Sequence, residues 1–437
     1  MILLSFLLSS LSFAEPEASP AEESPQESES KNESKKPNRF EVAGLPALSY
    51  DSDSGLGLGI VAVGAKFNPK NNPFQYRLMG LIQSNIRSIP GEGLKVPTST
   101  YFLRLDMPGR MNGKLRVVGF GGYTSKNDMP YFGYGNQTSV PFDGLDEEST
   151  EYQDALQSTF YGQRTGILDV QGQWSLFDES TMQQKKRLEL IFGGHLRYES
   201  PEVFDGSVFQ RDIELANAET EDGETMDLLL NGTDPHFMFK TRLGLLWDTR
   251  DHEYVPQNGS LHYVYTEFSP GVQEGLLFNR WTVDLRSYKS ILGEYLVLAG
   301  RLAGTVYFGT VPFYETDAYL SSSVMYSWRG VRLNRYRGTR QALGSVELRS
   351  KLLKFGFGGQ RFNLGITLFA DTGRVWNTTP SDTLRGASLN GDFMDFHTSI
   401  GGGPRLQWGE TFLLRFDQGY SVTDKTSRVN FLLNHAF

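Results

Sequence analysis

The chain has 437 residues, a formal net charge of -9, no cysteine, and a high content of Gly (47), Phe (30) and Tyr (20). Without cysteine there is neither a disulfide framework nor thiolate chemistry, and an acidic chain is a poor match for a nucleic-acid backbone. A length of this order holds two or three ordinary domains or one large closed sheet.

Residues 1–14, MILLSFLLSSLSFA, predict a secretory signal peptide, with an apolar core followed by Ser12 and Ala14 as small cleavage-site residues. Residues 15–39 are rich in Glu, Ser and Pro and carry no aromatic residue, which predicts a disordered periplasmic tether. Beyond it no apolar run reaches the ~18 residues of a membrane-spanning helix. If residues 40–437 cross a bilayer, they cross it as strands.

Two-residue periodicity supports that reading. Trp281, Val283 and Leu285 oppose Thr282, Asp284, Arg286 and Tyr288. Phe362, Leu364, Ile366, Leu368 and Ala370 oppose Asn363, Gly365, Thr367, Phe369, Asp371 and Gly373. Phe412, Leu414, Phe416 and Tyr420 oppose Leu413, Arg415, Asp417 and Gly419. Aromatic residues gather near strand ends (Trp247, Trp376, Trp408, Tyr420, Phe437), as girdles at a lipid interface do.

Candidate strands fall at 44–50, 55–67, 73–86, 98–108, 112–125, 159–177, 186–200 and 236–250. Eight more fall at 259–270, 277–290, 294–309, 342–356, 360–376, 396–408, 411–422 and 428–437. The expected fold is all-β: a 16-stranded antiparallel transmembrane β-barrel. Connections after even-numbered strands are short, and several after odd-numbered ones are long (126–158, 201–235, 310–341, 377–395). Short periplasmic turns and long outer loops produce that asymmetry.

Other signatures fail on inspection. Gly55, Gly57 and Gly59 imitate a dinucleotide loop but share one strand face, with no helix following. Asp51 and Asp53 supply only part of a calcium loop, and His252-Glu253 lacks the second histidine of a zinc helix. The remaining histidines are scattered, so no enzyme chemistry, metal or cofactor is expected, and no nucleic-acid partner. The acidic run Glu219 to Glu224 is read as solvated outer surface.

One basic stretch stands out: Trp328 to Arg340 holds Arg329, Arg332, Arg335, Arg337 and Arg340. Trp328-Arg329-Gly330-Val331 lies in a long loop five strands from the C-terminus, and Phe369-Ala370-Asp371-Thr372-Gly373 lies on the second strand after it. Asp248-Thr249-Arg250-Asp251 leads through Pro256 to Gly259, Val346-Glu347-Leu348-Arg349 opens the strand after the loop, and the chain ends in Phe437. In this order and spacing the motifs resemble the BamA/TamA superfamily of outer-membrane assembly and translocation barrels, over roughly residues 40–437.

The resemblance implies that the long outer loop folds into the lumen and that Arg329, next to Gly330, contacts Asp371 on the wall. Gly373, Glu347 and Arg349 then belong to the same lock; Arg337-Gly338 is a second Arg-Gly and the alternative wall contact. It implies a turn motif on the periplasmic side at Asp248, Arg250, Asp251 and Gly259. It also implies a lateral seam between first and last strands, involving Pro46, Leu48, Phe431, Leu433 and Phe437. The first strand, 44–50, reads as short, and Pro46 lacks a ladder donor, so this seam is expected to be the weakest pairing.

Two departures from the family pattern carry expectations. Val331 stands where the family usually has an aromatic, so the loop should pack differently. The 15–39 tether is too short for a periplasmic POTRA domain. The implied function is insertion or translocation of polypeptides at the outer membrane of a Gram-negative bacterium. Outer-membrane lipid, client proteins and a separate periplasmic receiver are the implied partners. A passive channel or structural barrel is the alternative.

Overall fold

A computed structural model describes residues 39–51, 55–68, 71–89, 93–146, 149–179, 186–252, 255–271, 273, 275–316, 328–357, 360–408 and 412–433. The expected signal peptide, nearly all of the tether, and Phe437 lie outside the described residues.

The wall begins with β1 (Arg39–Asp51), β2 (Gly55–Asn68), β3 (Asn71–Ile89), β4 (Gly93–Arg110), β5 (Leu115–Pro130), β6 (Phe160–Asp178) and β7 (Arg187–Glu202). It continues through β8 (His236–Asp248), β9 (Gly259–Pro270), β10 (Leu277–Leu292), β11 (Leu296–Gly309), β12 (Arg340–Ser350), β13 (Leu353–Phe357) and β14 (Gln360–Trp376). A two-stranded ribbon, β15 (Thr383–Leu384) with β16 (Ala387–Ser388), sits in the next loop. β17 (His397–Trp408), β18 (Phe412–Ser421) and β19 (Thr426–Leu433) complete the wall. Neighbours pair antiparallel in chain order, and β1 returns to β19, closing the sheet.

β12 and β13 are collinear halves of one wall strand, because both pair with β14. Arg349 faces Thr367 and Leu353 faces Leu364, so three residues on one side oppose two on the other. That mismatch is a bulge. Counted this way the wall has sixteen strands, as the periodicity predicts.

Hydrocarbon offers no hydrogen-bonding partner, so a spanning sheet must close, and its outward side chains must be apolar. Trp281, Val283 and Leu285 are exposed outward while Thr282, Asp284 and Arg286 between them are buried inward, and β14 and β18 alternate in the same way. The Gly55, Gly57 and Gly59 row also has a structural reason. Gln83 Nε2 reaches from β3 across β2 to donate to Ser49 Oγ on β1 at 2.6 Å. A Cβ on Gly57 would lie 2.1 Å from that nitrogen.

The first strand corrects one expectation. It is not short: β1 has 13 residues and pairs with β2 from Arg39↔Phe67 to Asp51↔Gly55. Alternation already begins at Phe40-Glu41-Val42, close enough to the polar tether to read as part of it. Pro46 sits inside this ladder opposite Ile60.

The long loops build a cap at one end. Helix α1 (Thr150–Gln157) starts on Ser149, α2 (Val208–Ala216) on Ser207 and α3 (Glu221–Leu229) on Thr220, each cap side chain accepting a backbone N–H of the first turn. Glu221, Asp222 and Glu224 stand in the first turn of α3, where the helix dipole favours them. Phe209 of α2 packs against Phe313 with ring centroids 4.7 Å apart, and Tyr131 and Tyr161 close around them. This apolar cluster draws on four separate outer loops, through Tyr134, Met226, Leu333 and Leu384 among others, so the loops share one small core.

A cysteine at Glu221 or Asp146, both exposed, should react with an impermeant thiol reagent on intact cells. One at the exposed turn residue Asn258 should react only after the envelope is opened. Reversed labelling would overturn the orientation.

Candidate functional site

The basic segment 328–339 joins the cap to the wall, and Arg329 is its anchor. Its Nε donates to Asp371 Oδ2 at 2.8 Å and its Nη2 to Asp371 Oδ1 at 2.7 Å, a bidentate pair. The backbone N–H of Arg329 donates to the same carboxylate at 3.1 Å. Nη1 donates to Glu347, Nη2 also reaches Ser345 Oγ at 3.3 Å, and the guanidinium lies 3.6 Å from the Phe369 ring centroid. All three charged side chains are fully buried.

Two carboxylates around one cation would leave a buried negative charge. Arg349 offsets it, its Nε donating to Glu347 Oε2 at 2.7 Å. Burial alone would favour a neutral Arg329, but the Asp371 and Glu347 carboxylates outweigh it and hold the guanidinium charged, above its ordinary range. Such a pair fixes position more than it adds net stability.

The glycines of both motifs make this approach possible. Gly330 has φ +90°, and a Cβ there would lie 2.9 Å from the backbone of Gly419 and Tyr420. Its carbonyl accepts from Thr426 Oγ1 at 2.9 Å. Gly373 clears room for Trp328, whose indole carbons would stand 3.1 Å from an added Cβ. Trp328 then packs with Ala303, Val331, Tyr336, Leu343 and Val375. The smaller Val331 therefore fits a cluster whose aromatic bulk comes from Trp328 and Tyr336.

The other loop arginines point to the cap. Arg332 donates to Tyr152 of α1 and lies over Phe142 at 4.7 Å. Arg335 donates to Thr138, reaching its carbonyl at 2.5 Å. Arg337 donates from Nη1 to the Phe313 carbonyl at 2.9 Å and lies over Tyr131 at 4.9 Å. Its place in the cap corrects the alternative: the wall contact belongs to Arg329. Arg340 is exposed at the start of β12.

The turn motif is a carboxylate-stapled hairpin. Asp248 accepts from Arg250 Nε at 2.9 Å and Nη2 at 3.0 Å, and Asp251 accepts the backbone N–H groups of Gln257 and Asn258. Gly259 has φ +100°, and a Cβ there would collide with the Thr249 carbonyl at 2.1 Å.

At the seam β1 meets β19, among the described residues, at Tyr50↔Phe431 and Asp51↔Asn430. Pro46 and Leu48 are exposed on the lipid side, and continuing the register by two residues would set Leu48 opposite Leu433.

A second buried network escapes the sequence motifs. Glu267 takes Arg242 at 2.7 Å together with Arg280, while Glu315 from the loop takes Lys240 at 2.8 Å and Arg280 at 3.2 Å. Alternating charges on apolar strands flag the wall members, but nothing local flags Glu315.

The model of the Omp85 superfamily domain matches residues 129–437, from the end of β5 to the C-terminus. The chain belongs to the Omp85 superfamily. It is a barrel of the Gram-negative outer membrane, in a superfamily of insertion and translocation barrels. The crystal structure of BamA from Haemophilus ducreyi lacking POTRA domains 1–3 aligns at TM-score 0.56 and 13% identity, covering 91% of this chain and 70% of that one. CdiB from Escherichia coli aligns at TM-score 0.54 and 10% identity, covering 91% and 68%. At such identities the likeness is one of fold. No curated protein matches this Omp85 barrel in sequence.

Arg329→Ala and Asp371→Ala should each destabilise the loop by ~3–5 kcal/mol, since each strands a buried charge. The double variant should be little worse than either one. Limited proteolysis and thermal melting check both, and fully additive losses would contradict the pairing. Gly373→Val should displace Trp328 and red-shift tryptophan emission while the barrel remains folded.

Proposed function

We propose that this Omp85 barrel assists insertion or translocation of polypeptides at the outer membrane, using the seam between β1 and β19 as a lateral gate. The observation that carries this reading is where the ring closes: among the described residues β1 meets β19 at Tyr50↔Phe431 and Asp51↔Asn430, the wall pairing whose two strands no turn or loop of the chain joins. Hydrogen bonds contribute only ~1 kcal/mol net each, and no covalent connection holds this pairing together when they break. The opened edge of β1 is then a template for an incoming strand by β-augmentation.

The Arg329 lock serves this gate as a fixed brace. Gly330 is held by β18 through Gly419 and by Thr426 at the start of β19, while Arg329 is held by β12 and β14. The loop thus stiffens the C-terminal side of the seam, so that β1 is the side that moves. A periplasmic receiver that delivers clients completes this proposal.

Cysteines at Leu48 and Leu433 test the gate against a chain that has none of its own. Crosslinking should abolish client insertion or secretion while leaving the barrel folded and heat-modifiable on gels. Full activity of a completely crosslinked barrel would sink the gate; unchanged conductance together with an unchanged phenotype would favour a passive channel.

A further inference from the structure

At the short-turn end, which the loop asymmetry places on the periplasmic side, the barrel interior holds a cleft apart from the Arg329 pair. It is a cleft of about 40 Å³ that opens to solvent, and its lining includes Glu294, Val297, Lys351, Thr367, Arg405 and Leu413. Arg405 on β17 and Arg415 on β18 stand directly opposite in the register, both buried and turned inward. Like charges so placed repel each other.

Among the described residues, both reach the carboxylate of Asp417. Arg405 Nη2 donates to Asp417 Oδ1, and Arg415 Nη1 lies 3.5 Å from Asp417 Oδ2. Above them Arg329 and Arg349 share Asp371 and Glu347. Arg405 Nη1 donates to the carbonyls of Gly403, Pro404 and Phe416, but among the described residues Arg405 Nε, Arg415 Nε and the hydroxyl of the fully buried Thr367 have no hydrogen-bond partner. Buried donors left in that state are costly, and one added oxyanion relieves both the repulsion and the missing bonds.

We infer that this cleft is a carboxylate-binding site for a polypeptide, seating an oxyanion beside Arg405 and Thr367 and an aliphatic group against Val297 and Leu413. Inorganic phosphate would satisfy the donors but leave that apolar wall unused. A carboxylate next to an aliphatic side chain, as at a peptide C-terminus, uses both. Its use in receiving polypeptide from the periplasm rests on the gate reading above; the binding itself does not.

Isothermal titration calorimetry on the full-length barrel in detergent tests the site with three probes: N-acetyl-Val-Leu as free acid, its C-terminal amide, and inorganic phosphate. The free acid should bind saturably, with amide and phosphate each at least ten-fold weaker. Thr367→Val, isosteric and leaving the Arg405–Asp417 pair intact, should weaken the acid ten-fold or more while heat-modifiable mobility shows a folded barrel. Arg405→Gln should do the same. Equal binding of acid and amide, absence of saturable binding, or an unaffected Thr367→Val variant would overturn the site. Phosphate binding as tight as the peptide acid would overturn the polypeptide assignment. The barrel crosslinked at Leu48 and Leu433 should bind the acid with unchanged affinity, so failure of the site and failure of the gate are read separately.

Discussion

A sheet in hydrocarbon must pair every backbone donor and acceptor within itself, and the rest of this structure depends on that constraint. It dictates closure of β1 on β19, sends apolar side chains outward and leaves only one place for charge, the interior. Once charge is confined there, it has to be neutralised there. The pairing of Arg329 with Asp371 and Glu347, and of Glu267 with Arg242 and Arg280, are local answers to that demand. The same constraint singles out the seam, because closure is the one pairing that chain connectivity does not enforce.

A strongly basic loop in an acidic chain is explained by division of labour. Arg329 binds the wall, whereas Arg332, Arg335 and Arg337 bind α1, the segment at Thr138 and the Phe313 turn. Each guanidinium also lies over an aromatic ring, which lowers the cost of burying it. A lysine-rich loop would carry equal charge but neither the bidentate geometry nor the planar stacking. The loop is a rivet between cap and wall.

Most of the wall was legible in the sequence because lipid enforces a strict period of two. Trp281 to Arg286 and Phe362 to Gly373 show their faces without any structure. The start of β1 was not legible, since Phe40 and Val42 abut a polar segment and a short alternation there carries little weight. The cap helices are illegible for a different reason: eight or nine residues between Ser149 and Gln157, or Ser207 and Ala216, are too few for a helical period to outvote the loop signals around them. The Arg329–Asp371 pair was legible from its flanking motifs, but Glu315 was not. Its partners Lys240 and Arg280 lie on strands far away in sequence, and only the closed ring brings them together.

The rivet also says something about assembly order. Arg337 bridges to Gly135, Arg332 reaches back to Tyr152, and His397 contacts the carbonyl of Asn136, so the cap joins residues separated by 180 to 261 positions. None of these contacts can form while the strands between them are still finding neighbours, and contacts of such separation form late. The cap is thus a seal set last. A barrel with one strand missing or out of register would leave Arg332, Arg335 and Arg337 without their distant partners and the outer mouth unsealed. Intact outer loops therefore certify a finished ring, and a protease at the cell surface would distinguish completed barrels from arrested ones.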